Sequence, residues 1–179
     1  MILIVEGSNK VGKTTFINKL TKILEDNEIR VECQNRRPAR NNQKEITKEQ
    51  MADYTINDFI NALRKSLKNT GCKYVYIFDR SYISEYIYGK HFRNYENDEV
   101  MKLDQFITEL PFVEQVFLIS NYDHIEEEKQ KLEYEKLQHD MMVQIMKCRS
   151  SFNVKFIENE NDAENAAIAY AYKIRRQMQ

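Results

Sequence analysis

Glycine, proline, cysteine and tryptophan are all scarce in this chain of 179 residues. It has four glycines, two prolines, three cysteines and no tryptophan. Two prolines exclude a proline-rich linker, and 42% hydrophobic with 31% charged residues excludes a disordered or low-complexity chain. Cys33, Cys72 and Cys148 are an odd, widely spaced set, which suggests neither a zinc site nor a disulfide framework. We interpret them as reduced thiols.

The chain also lacks an excess of charge of either sign. Its 27 basic and 28 acidic residues give a net charge of −1. This removes the overall attraction to phosphate on which nonspecific nucleic-acid binders rely, although a local basic patch remains open. No apolar run reaches the roughly 20 residues that span a bilayer, and the apolar run that begins at Ile2 leaves no room for a signal peptide. We expect a cytoplasmic protein with no membrane partner and no nucleic-acid partner.

Segments with strand character alternate with segments of helical period. Apolar runs starting at Ile2, Ile29, Tyr74, Val113 and Val154 predict five strands. Helices are predicted between these strands and after the last one, where we place a capping arrangement at 161–162. This alternation indicates an α/β fold of three layers, a five-stranded parallel sheet with helices on both faces. No repeat or linker is visible, so we expect residues 1–179 to form one domain.

Half of the glycines lie within six residues. Residues 7–14, Gly-Ser-Asn-Lys-Val-Gly-Lys-Thr, match the pattern G-x-x-x-x-G-K-[ST] between a predicted strand and a predicted helix. Such a loop points backbone N–H groups at a phosphate, with Lys13 on the outer phosphates and the Thr14 hydroxyl on Mg²⁺. The alternative is a glycine turn that happens to carry Lys-Thr. The nucleotide-binding residues predicted here are Gly7, Ser8, Asn9, Lys10, Val11, Gly12, Lys13, Thr14 and Thr15.

The nucleotide expected in this loop is ATP, held with Mg²⁺. Neither Asn-Lys-x-Asp nor Thr-Lys-x-Asp, the strings that read guanine, occurs anywhere in the chain, which argues against a GTPase.

Asp79 and Arg80 follow the third predicted strand directly. In open α/β sheets, ligands bind outside the carboxyl ends of the strands. A carboxylate there can orient Mg²⁺ or take a proton, and a guanidinium can clamp a phosphate. The alternative is a strand-ending acid with Arg80 as its ion-pair partner. Arg36 and Arg37 follow the second predicted strand at the same edge, where they are either phosphate ligands or part of a solvated arginine cluster.

The order of these motifs resembles the thymidylate kinase family and its deoxynucleoside kinase relatives. The family signature Asp-Arg-Tyr/His-x-x-Ser-x-x-Ala-Tyr departs here at Ser81 and Ile87. The positions that match it are Asp79, Arg80, Ser84 and Tyr88. The resemblance spans nearly the whole chain and implies Mg-ATP as donor, a deoxynucleotide as acceptor and a homodimer.

The same resemblance assigns roles around the acceptor. Arg80 and Arg36 would contact the acceptor phosphate. Arg37 replaces a glutamate that nucleoside kinases use as a base, and a guanidinium that stays protonated cannot act so, which favours a monophosphate acceptor. Tyr54 and Asp58 align loosely with residues that read thymine. Tyr54 could stack on a base, whereas Asp58 accepts hydrogen bonds where the family donates them, or is simply an exposed helix residue.

A lid-like segment is expected at about 123–140. Family lids carry arginines, whereas this segment offers lysines and many glutamates. Either Lys129 or Lys131 serves the lid, or the catalytic arginines are Arg80 and a neighbour such as Arg93. The alternative is that these lysines, Lys136 among them, are surface partners of nearby glutamates.

The sequence therefore predicts a deoxynucleoside monophosphate kinase. Three alternatives remain open: a deoxynucleoside kinase, a kinase acting on a modified-base hydroxyl in DNA, and a nucleotide-binding module without turnover. The expected catalytic residues are Lys13, Asp79 and Arg80, with Thr14 and Asp79 on the metal. The expected acceptor-binding residues are Arg36, Arg37, Tyr54, Asp58, Arg80, Ser84 and Tyr88.

Overall fold

A computed structural model describes residues 1–35 and 47–178 of the chain. The strands are β1 (Ile2–Glu6), β2 (Arg30–Asn35), β3 (Tyr74–Asp79), β4 (Val113–Ile119) and β5 (Asn153–Phe156). The helices are α1 (Lys13–Glu25), α2 (Lys48–Lys68), α3 (Tyr82–Phe92), α4 (Asp98–Thr108), α5 (Glu128–Ile145) and α6 (Glu160–Gln177).

The five strands form one parallel sheet in the order β2-β3-β1-β4-β5. The first strand in the chain is therefore the central strand of the sheet. In the pairing register, Val5 lies beside Asp79 and Glu6 lies beside Phe117. The ends of β1 and β3 thus meet at one edge, and the predicted α/β fold with a five-stranded parallel sheet is confirmed.

Both faces of the sheet are covered. Every residue of β1 is buried, and β3 is buried up to its last residue. Apolar residues at helical spacing on α1 pack inward, including Phe16, Leu20 and Leu24. Helix α6 lies against α1, where the ring of Tyr170 meets Phe16 edge-on at a centroid distance of 5.9 Å. Burial on both faces explains why these two strands lack the alternation of a half-exposed strand.

Two helix boundaries differ from the sequence interpretation. Apolar periodicity becomes clear only from Ile56, yet α2 begins at Lys48 behind a capping box of Thr47 and Gln50. Helix α6 is likewise capped by Asn159, reciprocally with Asp162, two residues before the expected start. In α2 the side chain that caps the helix precedes the apolar stripe, so periodicity places the boundary too late; in α6 the residue expected at the cap, Asp162, is the one that reaches back to the true cap at Asn159.

Two glycines outside the phosphate loop have distinct structural reasons. Gly71, which the sequence suggests as a helix-ending residue, has a φ of +98° shortly after α2. Gly89 lies within α3 in contact with Tyr95, where a Cβ would stand 2.7 Å from a ring carbon and 3.2 Å from the carbonyl oxygen. Glycine is needed at 71 for its backbone conformation and at 89 for close packing.

The three cysteines all lie in the described part of the chain and are unpaired. Over residues 1–35 and 47–178, none of the helices has the length and apolar character that crossing a bilayer requires.

Candidate active site

The predicted phosphate loop connects the central strand to α1 at the carboxyl edge of the sheet. Gly7 has a φ of +148°, and a Cβ there would lie 2.7 Å from the carbonyl oxygen of Leu118 on β4. Gly12 precedes α1 with a φ of +87°. Gly7 lets the loop pass close to β4, while Gly12 turns the chain into the helix. The loop therefore has the curled shape that the motif predicts, at the start of a helix.

Lys13 is buried inside this loop, with 6% of its surface exposed. Its Nζ donates to the carbonyl oxygens of Gly7 at 3.0 Å and Ser8 at 2.5 Å. Burial, with a smaller contribution from the positive charge of Arg80, lowers the pKa of Lys13 to about 7, against the opposing effect of Asp79. The ammonium thus lies within the loop, bonded to its carbonyl oxygens, where an anionic ligand would favour its charged form.

The loop that follows β4 supports the phosphate loop from one side. Ser8 is fully buried, and its hydroxyl forms a hydrogen bond with the hydroxyl of Tyr122. Tyr122 is itself buried, with a φ of +57°. Next to it, Nε2 of His124 lies 3.1 Å from the carbonyl oxygen of Lys10. Sequence analysis missed Tyr122 because it matches no motif.

Thr14 and Asp79 line the same cavity, of about 240 Å³, beside α1 and β2. Asp79 Oδ1 is buried and accepts no hydrogen bond from any described residue. A buried carboxylate oxygen without a donor, in a cavity that a threonine also lines, fits a divalent cation. Among the described residues, no group of three or more His, Cys, Asp or Glu side chains is arranged to hold a metal ion. Mg²⁺ suits this arrangement, since it keeps several waters and phosphate oxygens around one or two protein ligands.

Arg80 turns from the end of β3 toward the phosphate loop. Its Nη1 donates to the carbonyl oxygen of Gly7 at 3.2 Å, and its Nη2 donates to Oδ1 of Asn9 at 2.7 Å. The guanidinium carbon lies 4.7 Å from the ring centre of Tyr88. The Arg80 backbone has a φ of +76°, a left-handed conformation that costs a residue with a Cβ about 1 kcal/mol. The fold thus holds the guanidinium beside the loop at the expense of backbone strain.

Glu6 is a second residue that sequence analysis missed. It ends β1 immediately before the loop and is fully buried. Its Oε1 accepts from the backbone N–H of Ser81 at 2.8 Å, and its Oε2 accepts from the Ser84 hydroxyl. Burial raises the pKa of Glu6, against the opposing effect of these hydrogen bonds. The available signal was a carboxylate closing an otherwise apolar, buried strand.

The acceptor-binding residues predicted from the sequence are only partly brought together. Ser84 and Tyr88 lie one turn apart on α3, and the Arg80 guanidinium lies over the Tyr88 ring, although the Ser84 hydroxyl is engaged by Glu6. Tyr54 is on α2 with 55% of its surface exposed, and Asp58 lies one turn later. Arg36 and Arg37 lie outside the described residues.

The expected lid segment is a short loop followed by most of α5. Tyr134 and Leu137 anchor that helix in the core. Lys131 forms an ion pair with Asp123 at 2.7 Å. The other two lysines of the segment are exposed on the helix, namely Lys129 and Lys136.

Arg93, the other arginine considered, binds the buried Glu85 carboxylate at 2.8 Å. Of the two arginines that the sequence offered, Arg80 is therefore the one in contact with the phosphate loop.

Comparison with known proteins identifies a family and two similar structures. The family model described as thymidylate kinase matches residues 5–173. A thymidylate kinase from Ehrlichia chaffeensis is similar in structure with a TM-score of 0.63 and 15% identity, over 95% of this chain and 97% of that one. The YorR protein of Bacillus subtilis, crystallised with phosphorylated GDP, gives a TM-score of 0.69 and 13% identity, over 99% and 98% of the two chains. No curated protein matches the sequence.

Proposed function

This chain belongs to the thymidylate kinase family and is a nucleotide kinase, and we propose that it transfers the γ-phosphoryl group of Mg-ATP to a deoxynucleoside monophosphate. The observation that carries this proposal is the shared cavity of Thr14 and Asp79, next to the loop that buries Lys13. Two candidate metal ligands and a buried ammonium at one sheet edge supply the kinds of group that phosphoryl transfer from a nucleoside triphosphate needs.

The loop residues would hold the donor phosphates. The backbone N–H groups between Gly7 and Gly12, together with the positive end of α1, offer hydrogen bonds and partial charge to an anion. Lys13 donates to two loop carbonyls and can turn the same N–H bonds toward phosphate oxygens. The Thr14 hydroxyl and the unpartnered oxygen of Asp79 would hold the metal. A Mg²⁺ ion held by these two residues would supply positive charge to offset that of the donor phosphates.

Arg80 would neutralise charge between donor and acceptor. Its guanidinium contacts Gly7 and Asn9, so it lies beside the position where the donor phosphates bind. A monophosphate oxygen is already a competent nucleophile, so the site needs positioning and charge neutralisation rather than a strong base. Asp79 then serves the metal and orientation.

The acceptor site is proposed along the face of α3 that bears Tyr88, with Tyr54 and Asp58 from α2 toward the base. Arg36 would bind the acceptor phosphate together with Arg80, in line with the family resemblance. A cationic Arg37 in place of a base favours an anionic acceptor over a free nucleoside. We also propose a homodimer, which a measurement of molar mass in solution would test.

An ADP-release assay across the deoxynucleoside monophosphates, with the deoxynucleosides as a parallel set, tests the proposal. We expect turnover of at least one monophosphate and none of the nucleosides. Turnover of nucleosides alone would identify a nucleoside kinase, the reading favoured by the string Asp79-Arg80-Ser81. Binding of ATP that raises the melting temperature without any phosphoryl transfer would identify a non-catalytic module.

A further inference from the structure

A buried carboxylate joins the central strand to the segment that carries Arg80. Glu6 has no exposed surface and lies one residue before the phosphate loop. It accepts hydrogen bonds from the Ser81 and Ser84 backbone N–H groups at 2.8 and 3.4 Å, and from the Ser84 hydroxyl. All of these donors belong to the start of α3. Every one of these contacts therefore connects the phosphate-loop strand to this helix.

Glu6 replaces a cap that α3 lacks. The residue in the cap position, Ser81, makes no side-chain capping hydrogen bond. The first N–H groups of a helix need acceptors, and a negative charge is favourable beside them. Glu6 meets both needs from a different element. The start of α3 is thus fixed relative to β1 rather than by its own sequence.

This attachment bears directly on Arg80. The Arg80 N–H donates to the carbonyl oxygen of Val5 at 2.9 Å, and the next N–H, that of Ser81, donates to Glu6. Two consecutive N–H groups are therefore held by two consecutive residues of β1. Between them the Arg80 backbone adopts its left-handed conformation, which brings the guanidinium to Gly7 and Asn9. A strained backbone persists only where its surroundings hold it in place.

Charge gives a second reason for a carboxylate at this position. Lys13 and Arg80 are both cations that act on the same loop, and each disfavours the other's charge. The Glu6 carboxylate interacts favourably with both. A neutral group of the same shape would offset less of the repulsion between the positive charges of Lys13 and Arg80.

We propose that Glu6 is a positioning residue, which aims Arg80 at the phosphates through the Ser81 and Ser84 hydrogen bonds without touching substrate. This inference rests on the proposed kinase function. It differs from a structural role in one respect: the effect of losing Glu6 on turnover passes through Arg80.

A double-mutant cycle tests this distinction. The variants are Glu6→Gln, Arg80→Met and the double variant, each measured for kcat and for KM of ATP with the preferred monophosphate. We expect Glu6→Gln to lower kcat about 10²-fold, as a small misplacement of a catalytic group can, with a change of less than threefold in KM for ATP. In the Arg80→Met background the same substitution should change kcat by less than twofold. If the losses in kcat of the two single variants multiply in the double variant, the two residues act independently and the proposal is overturned.

Tyr82→Phe is the matched control. It removes a buried hydroxyl from the same turn of α3, where Tyr82 bonds Gln115 at 2.9 Å and Asp104 at 3.2 Å. We expect Tyr82→Phe to lower the melting temperature about as much as Glu6→Gln does. It should leave kcat within about threefold of the wild-type value. Equal losses of kcat in Tyr82→Phe and Glu6→Gln would contradict the proposal.

Two further measurements keep the test decisive. If Glu6→Gln does not fold, Ser84→Ala, which removes a single Glu6 hydrogen bond, enters the same cycle with a smaller expected loss of about tenfold. Crystal structures of the wild type and the variant need no activity: Arg80 should leave Gly7 and Asn9 only in the variant. Wild-type inactivity on every acceptor would contradict the proposed function, whereas an unmoved Arg80 would contradict the role of Glu6.

Discussion

The phosphate loop and the segment 123–140 hold their cations in opposite ways. Lys13 is buried and bonded to loop carbonyls, and Arg80 is tied to Gly7 and Asn9. In the other segment, Lys129 is exposed and Lys131 is paired with the exposed Asp123. Groups held by the core keep one geometry, whereas surface lysines on a helix lose side-chain freedom when they must reach a ligand.

From this contrast we infer that Lys13 and Arg80, rather than the lysines of segment 123–140, supply the charge that serves the reaction. Preorganised cations need no reorganisation at the moment of transfer, so each is worth more than a mobile cation in water. We therefore expect substitutions of Lys13 and Arg80 to lower kcat strongly. Substitutions of the lysines on α5 should change kcat little.

Lys13→Met should have the largest effect. Removing the ammonium from the donor phosphates should lower kcat by about 10²- to 10³-fold, the scale for one lost preorganised donor. The melting temperature should not fall, because the substitution removes a buried charge whose pKa is already lowered to about 7 by burial. Steady-state kinetics and thermal unfolding measure the two quantities.

Lys19→Met is the control for that experiment. Lys19 lies on the same helix and forms a partly exposed ion pair with Glu164 at 2.7 Å. Its loss should change the free energy of unfolding by less than about 1 kcal/mol and leave kcat unchanged. A comparable fall in kcat would mean that any change on α1 disturbs the loop.

Arg80→Lys should come second, with a loss of about 10- to 10²-fold in kcat. Lysine keeps the charge but cannot span Gly7 and Asn9 with a planar fork. Arg93→Lys is the comparison, since Arg93 binds Glu85 and contacts the ring of Tyr95. It should lower the melting temperature and leave kcat nearly unchanged. The reverse pattern would assign the catalytic arginine to position 93.

Nucleotide binding should take up a proton through Lys13. Its pKa of about 7 rises when phosphate oxygens approach, because they favour the charged form. Uptake should be about half a proton at pH 7 and close to one at pH 8, so affinity should fall about fivefold between them. Calorimetry with ADP in two buffers of different ionisation enthalpy measures this. If Lys13→Met takes up as many protons as the wild type on binding ADP, the group that gains the proton is not Lys13.

Replacing all three lysines of the lid segment by alanine should have the smallest effect. Lys129 and Lys136 are exposed on α5, and the partner of Lys131 is Asp123. We expect kcat to change by less than about threefold, with unfolding changed only slightly, as for exposed ion pairs. A loss of tenfold or more would show that α5 supplies catalytic charge and would remove the contrast between the two regions.

The order of strands and helices could be predicted from the sequence because periodicity is a local property. The phosphate loop is equally local, since its glycines, lysine and threonine are fixed by spacing. The placement of Asp79 at the sheet edge that carries the phosphate loop followed from a general rule, that the carboxyl ends of parallel strands meet at one edge.

The residues that were missed depend on contacts between distant parts of the chain. Glu6 is defined by its bonds to Ser81 and Ser84, more than 70 residues away. Tyr122 is defined by its bond to Ser8, more than a hundred residues away. Such a role has no spacing to reveal it, because the partners meet only in the folded chain.

The place of β1 in the sheet has a consequence for how the protein acquires its structure. The first strand has no partner until β3 and then β4 are available, so its hydrogen bonds close loops of some seventy and more than a hundred residues. Such non-local pairing is slow to form and leaves an apolar strand unpaired in the meantime. The phosphate loop follows directly after that strand. Nucleotide binding during refolding should therefore appear late, together with sheet formation and not ahead of it.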